Sequence, residues 1–195
     1  MKLSPITSII LAGGLLSVGF LAAQNDVEEP GETKQLMDFE AEKAAPAWFS
    51  VDDGVMGGLS KGLAGIKHGS LHFRGNLSLD NNGGFSSIRT AGNYDFSGRK
   101  AMVMRVKGDG RTYQLRLATD ARYRDSAVSY GAEFTTENGK WIEVKIPFDS
   151  LSPSWRGKKL DGPAFAPSQV EEIGILIGDK KPGRFSLEVD WIGVE

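Results

Sequence analysis

Ser70 to Leu79 reads "SLHFRGNLSL", in which Leu71, Phe73, Leu77 and Leu79 fall on alternate positions with His72, Arg74, Asn76 and Ser78 between them. A period of two places each set on one face of an extended strand, so the apolar set is expected in a core and His72 away from it. The alternation recurs in "TYQLRLAT" (Tyr113, Leu115, Leu117), "SYGAEF" (Tyr130, Ala132, Phe134) and "WIEVKIPF" (Ile142, Val144, Ile146, Phe148). "AMVMRV" from Ala101 and "EIGILIG" from Glu172 are nearly continuous apolar runs, as expected of strands covered on both faces. "RFSLEVDWIGV" groups Phe185, Leu187, Val189 and Trp191 by the same period. Gly, Asn, Asp and Pro clusters separate the runs. Only "SQVEE" has helical grammar, a single turn with Ser168 and Glu171 at capping-box spacing. Short strands punctuated by turns, without an internal repeat, predict an all-β fold, a β-sandwich of jelly-roll type.

The chain of 195 residues is long enough for one well-buried domain, with 40% hydrophobic and 25% charged residues. Its 23 basic and 25 acidic residues leave a formal charge of -2, which disfavours nucleic acid as a partner. With no cysteine there is no disulfide, thiolate metal site or cysteine nucleophile. Residues 1–23 pair a short basic start with an apolar centre and small residues at a cut site. That pattern predicts a secretory signal, or an uncleaved membrane anchor, since the run approaches the ~20 residues that span a bilayer. Residues 24–35 read as an acidic linker and 36–195 as the domain.

A search for chemistry is mostly negative. There is no nucleophile elbow, P-loop, H-E-x-x-H or dinucleotide fingerprint. His68 and His72 have the i, i+4 spacing of a helical metal pair, but Gly69 and the strand pattern around them argue against one. Carboxylate pairs for glycoside hydrolysis stay open, because the separation that matters is spatial. Three loops remain: "DDGVMGG" (Asp52–Gly58), "NNGGFSSIR" (Asn81–Arg89) and "GDGRTY" (Gly108–Tyr113). Each joins glycines to charge beside an apolar or aromatic residue, a grammar that serves both tight turns and binding surfaces.

In chain order, "WFSVDDGVMGGLSKG", "FRGNLSLDNNGGFSSIR", "KGDGRTYQLRL", "WIEVKIPF" and "FSLEVDWIG" resemble the CIA30 family, named for the complex I intermediate-associated protein of mitochondria. The likeness runs from about Met37 to Glu195. It implies a galactose-binding-like jelly roll and a non-enzymatic role, since the eukaryotic members are assembly factors that hold intermediates of respiratory complex I. Combined with the leader, it predicts an exported protein of the periplasm or cell envelope that binds an envelope protein. Membrane contact is expected only through an uncleaved leader.

The alternative expectation is a carbohydrate-binding module of the same fold, which needs exposed aromatics to stack on sugar rings beside hydrogen-bonding side chains. Trp141, on a strand face with Glu143 and Lys145, and Trp155, beside Arg156, are its candidates, against packing under loops or at the sandwich rim. The candidate binding set is Asp52, Asp53, Met56, Arg89, Asp109, Arg111, Trp141 and Trp155. No catalytic residue or cofactor is assigned; a structural calcium on Asp52, Asp53 or Asp190 is the one metal expectation. For "DDGVMGG" itself, the expectation is a forced backbone path with Met56 packed inward, Gly57 and Gly58 in places a β-carbon would strain, and Asp53 paired with Arg89 or Arg111. The three glycine loops should then gather at one end or edge of the sandwich.

Overall fold

The computed structural model describes residues 31–41 and 45–195. The leader at residues 1–23 and most of the acidic linker lie outside the described residues. The strands are β1 (Lys34–Asp38), β2 (Phe49–Asp52), β3 (Lys61–Lys67), β4 (Ser70–Leu77), β5 (Ser86–Tyr94), β6 (Ala101–Gly108), β7 (Thr112–Tyr123), β8 (Ser126–Thr135), β9 (Trp141–Pro147), β10 (Ser152–Trp155), β11 (Lys158–Lys159), β12 (Val170–Ile177) and β13 (Gly183–Val194). They form two antiparallel sheets. One runs β3-β4-β13-β6-β9, with β1 added along β13; the other runs β11-β10-β8-β7-β12-β5-β2. The chain passes from sheet to sheet after β1, β2, β4, β5, β6, β8, β9 and β12, which makes a jelly-roll sandwich.

The period-2 residues fill the space between the sheets. Leu71, Phe73 and Leu77, Met102, Met104 and Val106, Tyr113, Leu115 and Leu117, Ile173, Ile175 and Ile177, and Phe185, Leu187 and Val189 are all buried. At about 1.5–3 kcal/mol for each large side chain removed from water, this layer is the main stabilising term in a chain without a cross-link.

Four local expectations are corrected. β4 ends at Leu77, so Leu79 lies in the following loop and is 41% exposed. A bulge between Val189 and Trp191 flips the alternation, so Ile192 and Val194 enter the core in place of a half-buried Trp191. The stretch "SQVEE" is a 3-10 turn (Pro167–Gln169) running directly into β12; it has no side-chain cap, and Glu171 pairs with Arg122 at 2.9 Å. Sheet pairing begins inside the stretch read as linker, since Lys34 and Gln35 already register with Val194 and Gly193.

The strand ends place the site. β2, β4, β6 and β12 finish, and β3, β5, β7 and β13 begin, at the same end of the sandwich, as the pairings of Asp52 with Ser86, Asn76 with Lys61, Gly108 with Leu187 and Ile177 with Tyr113 show. All three glycine loops therefore meet there.

Candidate functional site: a buried carboxylate knot under an apolar rim

β2 delivers two adjacent aspartates to this end, and both become backbone anchors. Asp52 accepts the Gly62 N–H (3.1 Å to Oδ1) and the Ser86 hydroxyl (2.6 Å), joining the starts of β3 and β5. Asp53 opens a 3-10 turn (Asp53–Met56), and its side chain is fully buried. Its carboxylate accepts the Ser60 N–H (2.9 Å), the Ser60 hydroxyl (2.5 Å), the Gly84 N–H (2.6 Å) and the Phe85 N–H (3.3 Å). The Ser60 oxygen also accepts the Ser78 N–H at 3.0 Å, and the Asn81 amide donates to the Gly57 carbonyl at 3.2 Å. The loops after β2 and β4 are thus tied through one carboxyl group.

That knot explains why the charges are followed by glycines. Gly57 sits at φ 88°, where a β-carbon is strained. A Cβ at Gly58 would lie 2.3 Å from Asp53 Cγ, and one at Gly83 would lie 2.6 Å from Asp53 Oδ2. The missing side chains are the room the carboxylate occupies. Gly58→Ala is therefore expected to cost about 1–3 kcal/mol through overpacking, read from the denaturant midpoint. Gly65→Ala, where an added Cβ meets nothing within 4 Å, should leave the midpoint in place; equal shifts in the two variants would contradict the steric account.

Burial acts to raise the Asp53 pKa, but the hydrogen bonds from Ser60, Gly84 and Phe85 together outweigh it and hold the group below its ordinary 3.8. A folded-state pKa below the unfolded value contributes stability that is fully present above the unfolded value. It is lost as pH falls through the folded one. Stability measured by urea unfolding should thus be flat from neutral pH to about 5 and drop below about 4. Asp53→Ala should remove part of that acid dependence, and an unaltered drop in the variant would contradict the assignment.

Asp53 is not paired with Arg89 or Arg111, contrary to expectation, because backbone donors in its own loops reach it first. Met56 is not packed inward either: the space beneath the turn is filled by Asp53 and its donors, and Met56 is 63% exposed. Arg111 forks instead onto Asp179, Nε to Oδ2 at 3.0 Å and Nη2 to Oδ1 at 2.6 Å, and also donates to the carbonyls of Lys181, Gly183 and Arg184. It closes the β12–β13 connection. Burial again acts to raise the Asp179 pKa, and the Arg111 and Lys181 hydrogen bonds overcome it to leave the carboxyl lowered. Asp109 accepts the Tyr113 hydroxyl (3.1 Å) and the Ser186 N–H (2.9 Å). Burial, then Asp109, pushes the Tyr113 hydroxyl pKa up. An open groove of about 780 Å³ runs over this end, lined by Asp52, Lys61, Leu63, Arg74, Asp109 and Arg184 among others.

The other candidates lie elsewhere. Arg89 pairs with Glu172 at 3.3 Å on the seven-stranded sheet. Trp141 is half-buried on β9, with Arg105 and Lys107 5.0 and 4.9 Å from its ring centroid. Trp155 lies at the far end of the sandwich, edge-on to Tyr123, with Arg156 and Arg124 5.0 and 5.6 Å from its ring. Asp190 pairs with Arg105. Calcium was expected on Asp52, Asp53 or Asp190; among the described residues no three His, Cys, Asp or Glu side chains are grouped as a metal site.

The rim of the knot is apolar. Met56, Leu59 (54% exposed), Leu63 (67%), Leu79 and Phe49 stand in solvent on β2, β3 and the two tied loops; among the described residues Tyr123 is the one other exposed large hydrophobic. Leu63 carried a sequence signal that went unused: it is out of phase with Ala64 and Ile66, which pack on the core. Ser60 carried none, since a serine two residues after a glycine pair is ordinary turn chemistry.

Residues 37–189 match the family model described as Complex I intermediate-associated protein 30. A protein named "Complex I intermediate-associated protein 30, mitochondrial" from Drosophila melanogaster is 29% identical over 195 residues, covering 87% of this chain and 65% of its own length. The mouse protein of that name is 36% identical over 106 residues, 52% of this chain and 32% of its own. The chain thus spans from about a third to just under two thirds of these relatives. Among solved structures, a family 11 carbohydrate-binding module of a Clostridium thermocellum cellulase superposes with TM-score 0.62 at 15% identity, over 84% of this chain and 94% of that one. The same kind of module in complex with a mixed-linked tetrasaccharide gives 0.61 at 17%, over 83% and 94%. These likenesses show the jelly-roll fold. The relatives also correct the expected location: they are mitochondrial proteins by name, not periplasmic or envelope proteins. With the family model covering most of the domain, the chain belongs to the Complex I intermediate-associated protein 30 (CIA30) family.

Proposed function

We propose that the chain is a non-catalytic protein-binding module that holds a partner during assembly of a multisubunit complex. The partner docks on the apolar rim above the Asp53 knot. One observation carries this reading: five of the six exposed large hydrophobics among the described residues, Phe49, Met56, Leu59, Leu63 and Leu79, lie on the edge strands β2 and β3 or in the loops after β2 and β4. A clustered apolar patch with a polar surround is the mark of a contact surface. β2 and β3 flank it as the edge strands of their two sheets, so their outer backbone groups are available to an incoming segment. The relatives' names, which place them with a complex I intermediate, supply the class of partner. The glycan reading is less well supported, since a sugar ring needs a free aromatic face and both Trp141 and Trp155 carry cations against their rings.

The test is a double substitution on the rim, Met56→Asp with Leu63→Asp. Both side chains are exposed, so stability should change by no more than about 0.5 kcal/mol. Recovery of the complex I subunit held by the unaltered chain should fall at least about tenfold, as expected when charge enters an apolar contact. Equal recovery by the variant at equal stability would place the docking surface elsewhere.

A further inference from the structure

On the outer face of the six-stranded sheet, three basic side chains stand around an open space at the end that carries the knot. Lys61 on β3, Asn76 on β4 and Arg184 on β13 form one register row, and Leu63, Arg74 and Ser186 form another. The row between them, Gly62, Gly75 and Phe185, faces inward: a Cβ at Gly62 would meet Ser86 and Phe73, and one at Gly75 would meet Phe185. The two flanking rows therefore face solvent, and all their residues are exposed. Lys61 and Arg184 stand two strand spacings apart, about 10 Å between Cα atoms, and Arg74 is the diagonal neighbour of both at about 7–8 Å. The shorter Asn76 and Ser186 leave the middle open, and all three cations line the groove of about 780 Å³.

These cations are without counter-ions. Among the described residues none of the three makes an ion pair or a side-chain hydrogen bond, whereas farther along the same face Lys107 is paired with Glu188 at 2.8 Å. The two carboxylates in the lining are already engaged. Asp52 accepts the Gly62 N–H and the Ser86 hydroxyl, and Asp109 accepts the Ser186 and Arg111 N–H groups and the Tyr113 hydroxyl. Even with both counted, three positive charges face two negative ones, in a chain whose formal charge is -2. An anion with several carboxylates supplies the missing charge and accepts the unused N–H groups of two guanidinium ions and one ammonium ion.

We propose that this groove takes an acidic segment of the docked protein, which lays carboxylates among Lys61, Arg74 and Arg184 and an apolar residue on Leu63. The class of ligand rests on the protein-binding reading above. Leu63 is the link, since it is 67% exposed, lines the groove and belongs to the apolar rim. An acidic glycan fits less well, because the one aromatic residue in the lining, Phe185, is 3% exposed and offers no ring to stack on. β4 and β13 are paired on both sides, so the contact is made by side chains and leaves their ladder hydrogen bonds in place.

The test follows backbone amide resonances of the full chain during titration with a capped Leu-Glu-Glu-Glu peptide, its Leu-Gln-Gln-Gln counterpart and trigalacturonic acid. Lys61–Leu63, Arg74–Asn76 and Arg184–Ser186 should shift saturably with the glutamate peptide and stay in place with the glutamine one. Arg74→Gln with Arg184→Gln should weaken glutamate-peptide binding at least about tenfold, with the thermal midpoint unchanged because both side chains are exposed. Lys158→Gln with Lys159→Gln removes the same charge from the edge strand of the other sheet, and should leave the affinity within about twofold, since exposed charges are screened over such a distance. No saturable shift, equal shifts with both peptides, or equal weakening in the two double variants would overturn the proposal. Tighter binding of trigalacturonic acid would overturn it too, by making the groove a glycan site. Partner recovery by the rim variant is read separately: lost recovery with no peptide shift refutes this inference alone, and full recovery with the peptide shifts in place refutes the docking surface alone.

Discussion

Asp53→Ala is expected to lose about 3–6 kcal/mol of unfolding free energy, since each buried donor left without an acceptor costs about 1–3 kcal/mol. The carboxylate is fully buried and receives three backbone N–H groups and one hydroxyl. Truncation strands the amides of Ser60, Gly84 and Phe85 in a space sealed by the tied loops. The Ser60 hydroxyl has the Ser78 carbonyl, 3.1 Å away, to fall back on. Asp53→Asn should recover only part of the loss, because its amide nitrogen would confront N–H donors where the second carboxylate oxygen had accepted them. Set against a typical total of about 5–15 kcal/mol, the alanine variant should sit close to its unfolding transition at 37 °C. Urea unfolding followed by fluorescence measures it, and a loss below about 1 kcal/mol would mean that water replaces the carboxylate without penalty.

The second large effect is at the β12–β13 connection. Asp179→Ala leaves the Arg111 guanidinium, whose side chain is only 12% exposed, without its carboxylate. Breaking a buried pair by removing one partner costs about 3–5 kcal/mol, because the stranded charge stays desolvated. Arg111 also donates to the carbonyls of Lys181, Gly183 and Arg184, so it cannot swing out to water without giving up the bonds that hold the β12–β13 connection. Lys140 and Glu137 form an ion pair of similar length in open solvent, 71% and 56% exposed. Glu137→Ala should leave the thermal midpoint where it is, since such pairs contribute little. Equal midpoints for the two alanine variants would contradict the assignment of burial as the cause.

The sandwich was legible because its signal is long and redundant. Alternation in β4, β7, β8 and β9 names one buried face per strand, and a shift of one residue would move every leucine into water. The departures are where a single residue changes the count. Trp191 left the core because one bulge in β13 inverted the parity, and bulges have no dependable sequence mark. Leu79 left it because β4 stopped two residues earlier than its apolar pattern. At the site, the glycines of "DDGVMGG" announced a close approach but not of what. A charge beside buried backbone was expected to find a cation, whereas Asp53 is satisfied by one serine hydroxyl and three N–H groups that every sequence carries alike. Nothing in the residue types at 84 and 85 distinguishes those donors, and Ser60 reads as ordinary turn chemistry.

Amide hydrogen exchange of the chain alone and in complex with its recovered partner tests the docking account most directly. The account predicts added protection confined to Phe49–Leu63 and Ser78–Gly84, the edge strands and tied loops that carry the apolar rim, with β9, β10 and the β7–β8 turn unchanged. Protection concentrated instead around Trp141 or Trp155, with the rim exchanging as in the free chain, would contradict it.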